Sequence, residues 1–335
     1  MSLPEVWFVI IAFLWTGFFF LEGFDFGVGM LARTLGKDES ERAQMLRAIG
    51  PVWDADEVWL VTGGIAIFAA FPAWYAALFP AAYVPLLLVI VAIIVRAVAI
   101  EYRSKRPGPR WRSRWDTAVA VASLLLALLF GVFWAGIVHG IPLDADGQFV
   151  GDSLWSFINP YSLLGGLTLL SFALAHGATF LALKTTGAIR TRNEGWARRF
   201  DVVAGALMTA FALWTYWEYS RGDVAALIVG LVAVLAMLVA LIANARVRPL
   251  IAFWAHGVAI GAFVAQMFVA LYPNVLPSTV DPADSLTIAG SAASQYSLTV
   301  ITVVAAIALP VVIAYQAWSF WVFRKRVTAD DVEYG

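Results

Sequence analysis

The sequence predicts an all-α membrane protein of nine transmembrane helices, and three observations predict it. Nine segments stay apolar for about the 20 residues that a bilayer crossing needs. The connections between them carry basic residues in alternation. The composition is 61% hydrophobic and 13% charged, where soluble globular chains lie nearer half and a quarter.

The nine segments fall at about 6–32, 51–72, 74–100, 116–139, 161–183, 201–218, 224–243, 250–272 and 296–323, each read as an apolar run bounded by Gly, Pro or charged clusters. The 22 basic residues are unevenly placed. Four lie in 33–47, six in 103–114, five in 184–199, two in 246–248 and three in 324–326. The alternate connections hold Arg221 alone, and Arg96 falls inside the third segment. The positive-inside rule then sets the N-terminus outside and the C-terminus in the cytoplasm. No basic residue precedes Arg33, so no signal peptide is read. Fifteen Trp and ten Tyr suit the two interfacial belts.

A weak repeat sets Glu22-Gly23-Phe24-Asp25-Phe26 against His176-Gly177-Ala178-Thr179-Phe180. Both stretches lie in segments running inward, four segments apart. This predicts two four-helix units of parallel orientation, residues 1–145 and 155–275, then a ninth helix and tail at 290–335. The outer connections 140–160 and 273–295 are long, free of basic residues and rich in Gly, Pro, Ser and Asp. They read equally as plain solvated connections and as segments that cover the outer face or touch a partner.

The most informative stretch is Glu22–Gly29, because it sets two carboxylates inside the first apolar run. An ionisable side chain at membrane depth is costly and marks function by default. At ~1.5 Å per residue, Glu22 and Asp25 lie about 25 Å along the first helix, in the inner leaflet. The second segment runs outward from Pro51, which puts Asp54, Asp56 and Glu57 near that depth. The third runs inward and brings Arg96 and Glu101 there. Glu22 and Asp25 share a helix face, as do Asp54 and Glu57. Asp56 points nearly opposite Asp54 and is expected to be wetted by the cytoplasm, favoured by the helix start after Pro51. Arg96 is the counter-ion. With five acids to one cation, burial and repulsion favour protons shared among the carboxylates, as a proton path requires. Gly23 and Gly27 lie on another face, spaced for close helix packing.

The absence of cysteine excludes disulfides, thiolate metal sites and iron–sulfur clusters. No phosphate loop, nucleophile motif or metal-ligand spacing is present, so no independent catalytic site is read. His176 and His256, in the inner halves of the fifth and eighth segments, read first as hydrogen-bonded packing residues and second as an axial haem pair. His139 stands at an outer helix end. A proton-coupled secondary transporter is the rival reading of the buried acids, although no segment has the Gly/Pro-broken centre of a discontinuous transport helix. A purely structural subunit is a third.

These residues resemble subunit II of the cytochrome bd quinol oxidases. The likeness runs through Glu22-Gly23-Phe24-Asp25-Phe26-Gly27-Val28-Gly29-Met30, Gly50-Pro51-Val52-Trp53-Asp54 and Glu57-Val58-Trp59-Leu60. It continues in Phe68–Ala76, Arg96, Glu101–Lys105, Asn159-Pro160, Leu163–Gly166 and Ser294–Thr299. The resemblance implies a bacterial plasma-membrane heterodimer. Its partner, subunit I, carries the haems and oxidises quinol while reducing O₂ to water. This chain would hold no haem, support assembly, bind a structural quinone and lend acids to proton uptake. Single-span accessory subunits and lipids are further implied partners; nucleic acid is not. The family's acids on helices 1 and 2 match Asp25 and Asp54, with Glu22 and Glu57 beside them. Trp59 matches an aromatic associated with lateral oxygen access, and Trp53 is a candidate for quinone contact or packing. Where the family often reads Trp-Asp-Gly-Asn, this chain has Trp53-Asp54-Ala55-Asp56. The Gly-rich and aromatic faces of helices 1 and 2 are expected to meet subunit I.

Overall fold

The computed structural model describes residues 1–328 and Asp331. The helices are α1 (Leu3–Leu35), α2 (Glu39–Arg47), α3 (Trp53–Ala70), α4 (Pro72–Ala81), α5 (Tyr83–Tyr102), α6 (Pro109–His139), α7 (Pro160–Lys184), α8 (Gly187–Trp214), α9 (Val224–Ala245), α10 (Pro249–Leu271), α11 (Ile288–Ser291) and α12 (Gln295–Val322). Among the described residues, eight helices are long and apolar enough to cross a membrane: α1, α5, α6, α7, α8, α9, α10 and α12. The expected second segment is α3, 18 residues long with three acids near its start.

Residues 74–100 do not form one helix. Phe71 leaves the helical region at φ −134° and Pro72 begins α4, which carries Pro80 and ends before Ala82. α5 then starts afresh. Proline cannot donate to the preceding turn, and its ring crowds the carbonyl four residues back. The third segment is therefore a short α4 followed by the long α5.

Helix ends follow their sequence signals. Ser2 and Glu5 form a reciprocal capping box at the start of α1, and Asn159 and Ser162 do so at α7. Asp223 caps α9 through the amides of Ala225 and Ala226.

Burial orders the helices. In their apolar windows 78% of α7 and 67% of α6 is buried but only 6% of α12, so α7 and α6 sit at the centre and α12 on the rim. α1 lies against α7, and small residues set that contact. A Cβ on Gly27 would stand 2.0 Å from the Ala173 carbonyl oxygen and 2.8 Å from the Gly177 Cα. Gly23 faces Phe172 and His176. The glycine face of α1 thus packs inside this chain, correcting the expectation that it meets a partner. In lipid, helices associate by such close packing rather than by exclusion of water.

The long connections at one end are knitted together. Asn274–Leu276 pairs antiparallel with Leu286–Thr287. The Ile141 amide donates to the Pro277 carbonyl, and the Thr279 amide returns a bond to Ile141. The 140–160 and 273–295 segments so form one cover.

At the opposite end the basic connections meet. Arg103 pairs with Asp116 at 2.5 Å, and Arg112 with Glu39. The Lys184 ammonium donates to the carbonyls of Phe323 and Lys325, and Gln44 to that of Val327. Arg192 forks onto Glu41 at 2.6 and 3.0 Å and also donates to the Leu35 carbonyl. That guanidinium holds the Glu41 carboxyl below the usual range. A lowered carboxyl stabilises the fold above its ordinary titration and ceases to do so as pH falls through the lowered value. Acidification below the ordinary carboxyl range is therefore expected to free α2 and speed backbone amide hydrogen exchange across Glu39–Arg47 beyond the intrinsic pH dependence. Glu41→Gln should exchange at the faster rate at neutral pH already; a rate equal to wild type there would show that the pair does not hold α2. The effect is small, since exposed ion pairs contribute about 0–1 kcal/mol.

Candidate functional site

α1 fixes the centre of the site. Glu22 and Asp25, one turn apart, are both wholly buried. Arg96 reaches them from α5, also fully buried. Its Nη1 lies 3.1 Å from Glu22 Oε2 and 2.8 Å from Glu57 Oε1 on α3, and its Nη2 lies 3.7 Å from Asp25 Oδ2. The guanidinium also sits 5.2 Å above the Phe26 ring and 6.0 Å from that of Trp53. An arginine suits this place because its flat, weakly hydrated fork can serve several carboxylates and aromatic faces together.

α3 contributes differently from the sequence expectation. Asp56 is wholly buried, whereas Asp54 is exposed on the surface of this chain. The buried residues of α3 are Trp53, Asp56, Trp59, Gly63, Ala66, Ile67 and Ala70, a stripe at helical spacing that faces α1 and α12. Asp56 lies on that stripe, and Asp54 lies two residues, about 200°, away from it. The wetted helix start predicted for Asp56 belongs to Asp54. The spacing of small and aromatic residues after Trp53 carried this signal.

Gln316 of α12 donates its amide to Asp56 Oδ1. Asp56 Oδ2 has no donor, nor does either oxygen of Asp25. An ionised carboxyl can only accept, so an oxygen of this kind gains a partner only through a proton or a water. Three wholly buried acids therefore stand with one buried cation. An isolated buried carboxylate is prohibitive, so protons or water must complete the set. Gln316 was missed in the sequence, though it is the sole amide in the ninth apolar segment. Glu101, expected at this level, is exposed and outside the group.

Two apolar cavities flank α3. One of about 300 Å³ opens between α1, α3 and α12 and is lined by Trp7, Trp59, Thr62, Ile301, Ala305 and Leu309 among others. A second, of about 640 Å³, lies between α3, α4, α5 and α6, with Trp15, Phe68, Tyr75, Phe79, Tyr83 and Phe130 in its wall. Trp59 thus borders a cavity. Trp53 borders neither and packs under Arg96.

The histidines are engaged by protein groups. His176 Nε2 lies 3.0 Å from the Phe20 carbonyl, and His256 Nε2 lies 2.8 Å from Asp201 Oδ1. Their Nδ1 atoms face one another at 3.3 Å. No ring nitrogen of either residue is left to ligate iron. His139 Nδ1 contacts the Tyr219 hydroxyl at 2.9 Å. The isolated chain is accordingly expected to carry no haem. Haem retained by the purified subunit, and lost in a His176→Ala, His256→Ala double variant, would refute this.

The sequence profile of the family described as "Cytochrome bd terminal oxidase subunit II" matches residues 3–323. The chain is 38% identical over 331 residues to cytochrome bd ubiquinol oxidase subunit 2 of Bacillus subtilis (strain 168), covering 98% of this chain and 97% of that one. It is 31% identical to cytochrome bd-I ubiquinol oxidase subunit 2 of Escherichia coli (strain K12), covering 98% and 96%. The fold matches a chain of the bd oxidase from Geobacillus thermodenitrificans with a TM-score of 0.74, at 18% identity over 96% of this chain and 99% of that one. With the profile spanning nearly every residue and both relatives aligned end to end, the chain belongs to the cytochrome bd terminal oxidase subunit II family.

Proposed function

We propose that this chain is the haem-free subunit of a bd-type quinol oxidase in the bacterial plasma membrane. It supports a haem-carrying subunit I that oxidises quinol and reduces O₂ to water. Counting α3 gives nine spans, with the basic end cytoplasmic and the N-terminus outside. α1, α3, α5 and α6 form the first four-helix unit, α7 to α10 the second, and α12 follows.

The observation that carries the proton role is the row of carboxyls around Arg96. Glu22, Asp25 and Asp56 are wholly buried, Glu22 and Glu57 share the guanidinium, and Asp54 stands at the surface three residues before Glu57. Oxygen reduction consumes protons, and such a row can pass them by rotation of carboxyls and through intervening water. Arg96 holds ionised forms without leaving the row strongly negative. Asp54 emerges on the face of α3 that also exposes Val58, Val61, Ile65 and Phe68. A carboxylate on an otherwise apolar membrane surface needs a polar neighbour. We assign this face to subunit I, with Asp54 as the exit toward it.

The cavity beside Trp59 supports lateral oxygen access, because it is apolar and opens between α1, α3 and α12. A structural quinone fits the larger cavity, whose apolar lining and two tyrosines suit a hydrophobic chain and a carbonyl-bearing ring. Purifying the chain with its neighbours tests the reading. A haem spectrum that changes on reduction, together with quinol-driven oxygen uptake, is expected; a haem-free preparation that moves protons with a solute would overturn it.

A further inference from the structure

The second half of the bundle contains a polar cluster that the oxidase reading leaves unused. His176 on α7, His256 on α10 and Asp201 on α8 are all buried to 1% exposure or less. They form one line: Asp201 Oδ1 to His256 Nε2 at 2.8 Å, His256 Nδ1 to His176 Nδ1 at 3.3 Å, and His176 Nε2 to the Phe20 carbonyl of α1 at 3.0 Å. Asn244 of α9 donates to the second oxygen of Asp201 at 2.8 Å and to Thr179 Oγ1 at 2.9 Å. The rings of Phe253 and Phe172 stack on His176, and Phe24 meets it edge-on.

The three gaps in this line fix its proton count. A backbone carbonyl only accepts, so the gap to Phe20 needs hydrogen on His176 Nε2. Two facing Nδ1 atoms need one hydrogen between them. The gap between Asp201 and His256 needs one more. Two neutral imidazoles and a carboxylate supply two hydrogens, one short of the three. The third is an added proton, carried by the histidine pair opposite an ionised Asp201, or by Asp201 opposite two neutral rings. Concerted shifts along the line convert one form into the other, and both are neutral overall.

Charge points the same way. Among the described residues, the only ionic partner of Asp201 is His256. From α1, α7, α8, α9 and α10, the groups that touch the pair are Phe20, Phe24, Phe172, Phe253 and Asp201; only the last ionises. Glu22 and Asp25 of α1 are turned to Arg96 instead. Without the added proton, two lone pairs face each other and a buried carboxylate is uncompensated. With a second, the site is positive and a donor meets a donor. Either state carries an unpaired buried charge, which is strongly disfavoured.

We propose that α1, α7, α8, α9 and α10 enclose a binding site for a single proton, shared by Asp201, His256 and His176, and that this proton holds α7 against α10. It is separate from the carboxyl row, which lies on the other side of α1.

Solid-state NMR of the intact complex, labelled with ¹⁵N-histidine in membranes, tests the count. The two residues are identified without variants by magnetisation transfer between their facing Nδ1 nitrogens. Either three of the four ring nitrogens should carry hydrogen, or the rings should be opposite tautomers, His256 protonated at Nδ1 and His176 at Nε2. Two neutral rings both protonated at Nε2, or two imidazolium rings, would overturn the proposal. Asp201→Leu gives a second reading, because that side chain can neither take the third hydrogen nor balance it. The variant complex should melt several degrees lower than wild type. Asp201→Asn should recover most of the loss, since its amide can accept from Asn244 and donate to His256 Nε2 in place of the added proton. Equal melting of Asp201→Leu and wild type, or no recovery in Asp201→Asn, would overturn the hold assigned to the proton.

Discussion

Asp25→Asn is expected to lower oxygen consumption per haem by about tenfold or more, equivalent to about 1.4 kcal/mol on the barrier, with haem content unchanged. Asparagine preserves the size and hydrogen-bonding capacity of the side chain but removes its titratable proton. Asp25 is the right target because it is wholly buried, lacks a donor on either oxygen and lies 3.7 Å from the one buried cation of its cluster. Asp25→Glu should recover part of the rate. Asp56→Asn should give a smaller loss, since the amide oxygen can still accept from Gln316. Asp54→Asn should slow turnover as well if the row leaves the chain at that surface. The competing structural role predicts the reverse signature: poor assembly and lost haem, but normal turnover in each complex recovered. Full activity per haem in Asp25→Asn would end the proton-path reading.

The second large effect lies where α1 crosses α7. Gly27→Ala should sharply reduce recovery of folded chain, and Gly27→Leu should abolish it. The clash is with backbone, at 2.0 Å from the Ala173 carbonyl and 2.8 Å from the Gly177 Cα, so no side-chain rotation relieves it. Overpacking a core generally costs about 1–3 kcal/mol, and more where the backbone must shift. Gly177→Ala should fail likewise, because its Cβ would meet Gly27 at 2.6 Å. Gly195→Ala is the control: a Cβ there meets nothing within 4 Å, and alanine favours the helix. Detergent-solubilised yield and melting temperature measure the contrast. Equal recovery of Gly27→Ala and Gly195→Ala would mean that the helices do not approach so closely.

The membrane class was legible because apolar runs and loop charge are local properties of the chain. The place of Glu22, Asp25 and Arg96 followed from counting residues along helices whose direction the basic loops set. The roles of Asp54 and Asp56 did not follow, because helical phase becomes inside or outside only once neighbours are known. α12, 260 residues later, supplies the neighbour that turns Asp56 inward. The break at Ala82 was missed although Pro80 and Pro85 signal it, because hydropathy continues unbroken across both prolines. The glycines of α1 advertised close packing but not with whom. The His–His–Asp line joins three helices, and only tertiary structure could order its atoms.

The rim position of α12 also bears on how the protein is made. A ribosome adds roughly 5–20 residues per second, so α3 enters the bilayer on the order of tens of seconds before Gln316 is synthesised. During that interval Asp56 has no amide to meet, and the chamber beside α1 is open along one side. The acid must travel through that stage protonated or sheltered by other machinery. The last helix then acts as a latch, and a chain truncated before α12 would leave in the membrane a bundle with its polar interior facing lipid. Such a carboxyl, left without its amide, carries the cost of a polar group facing lipid until the last helix arrives.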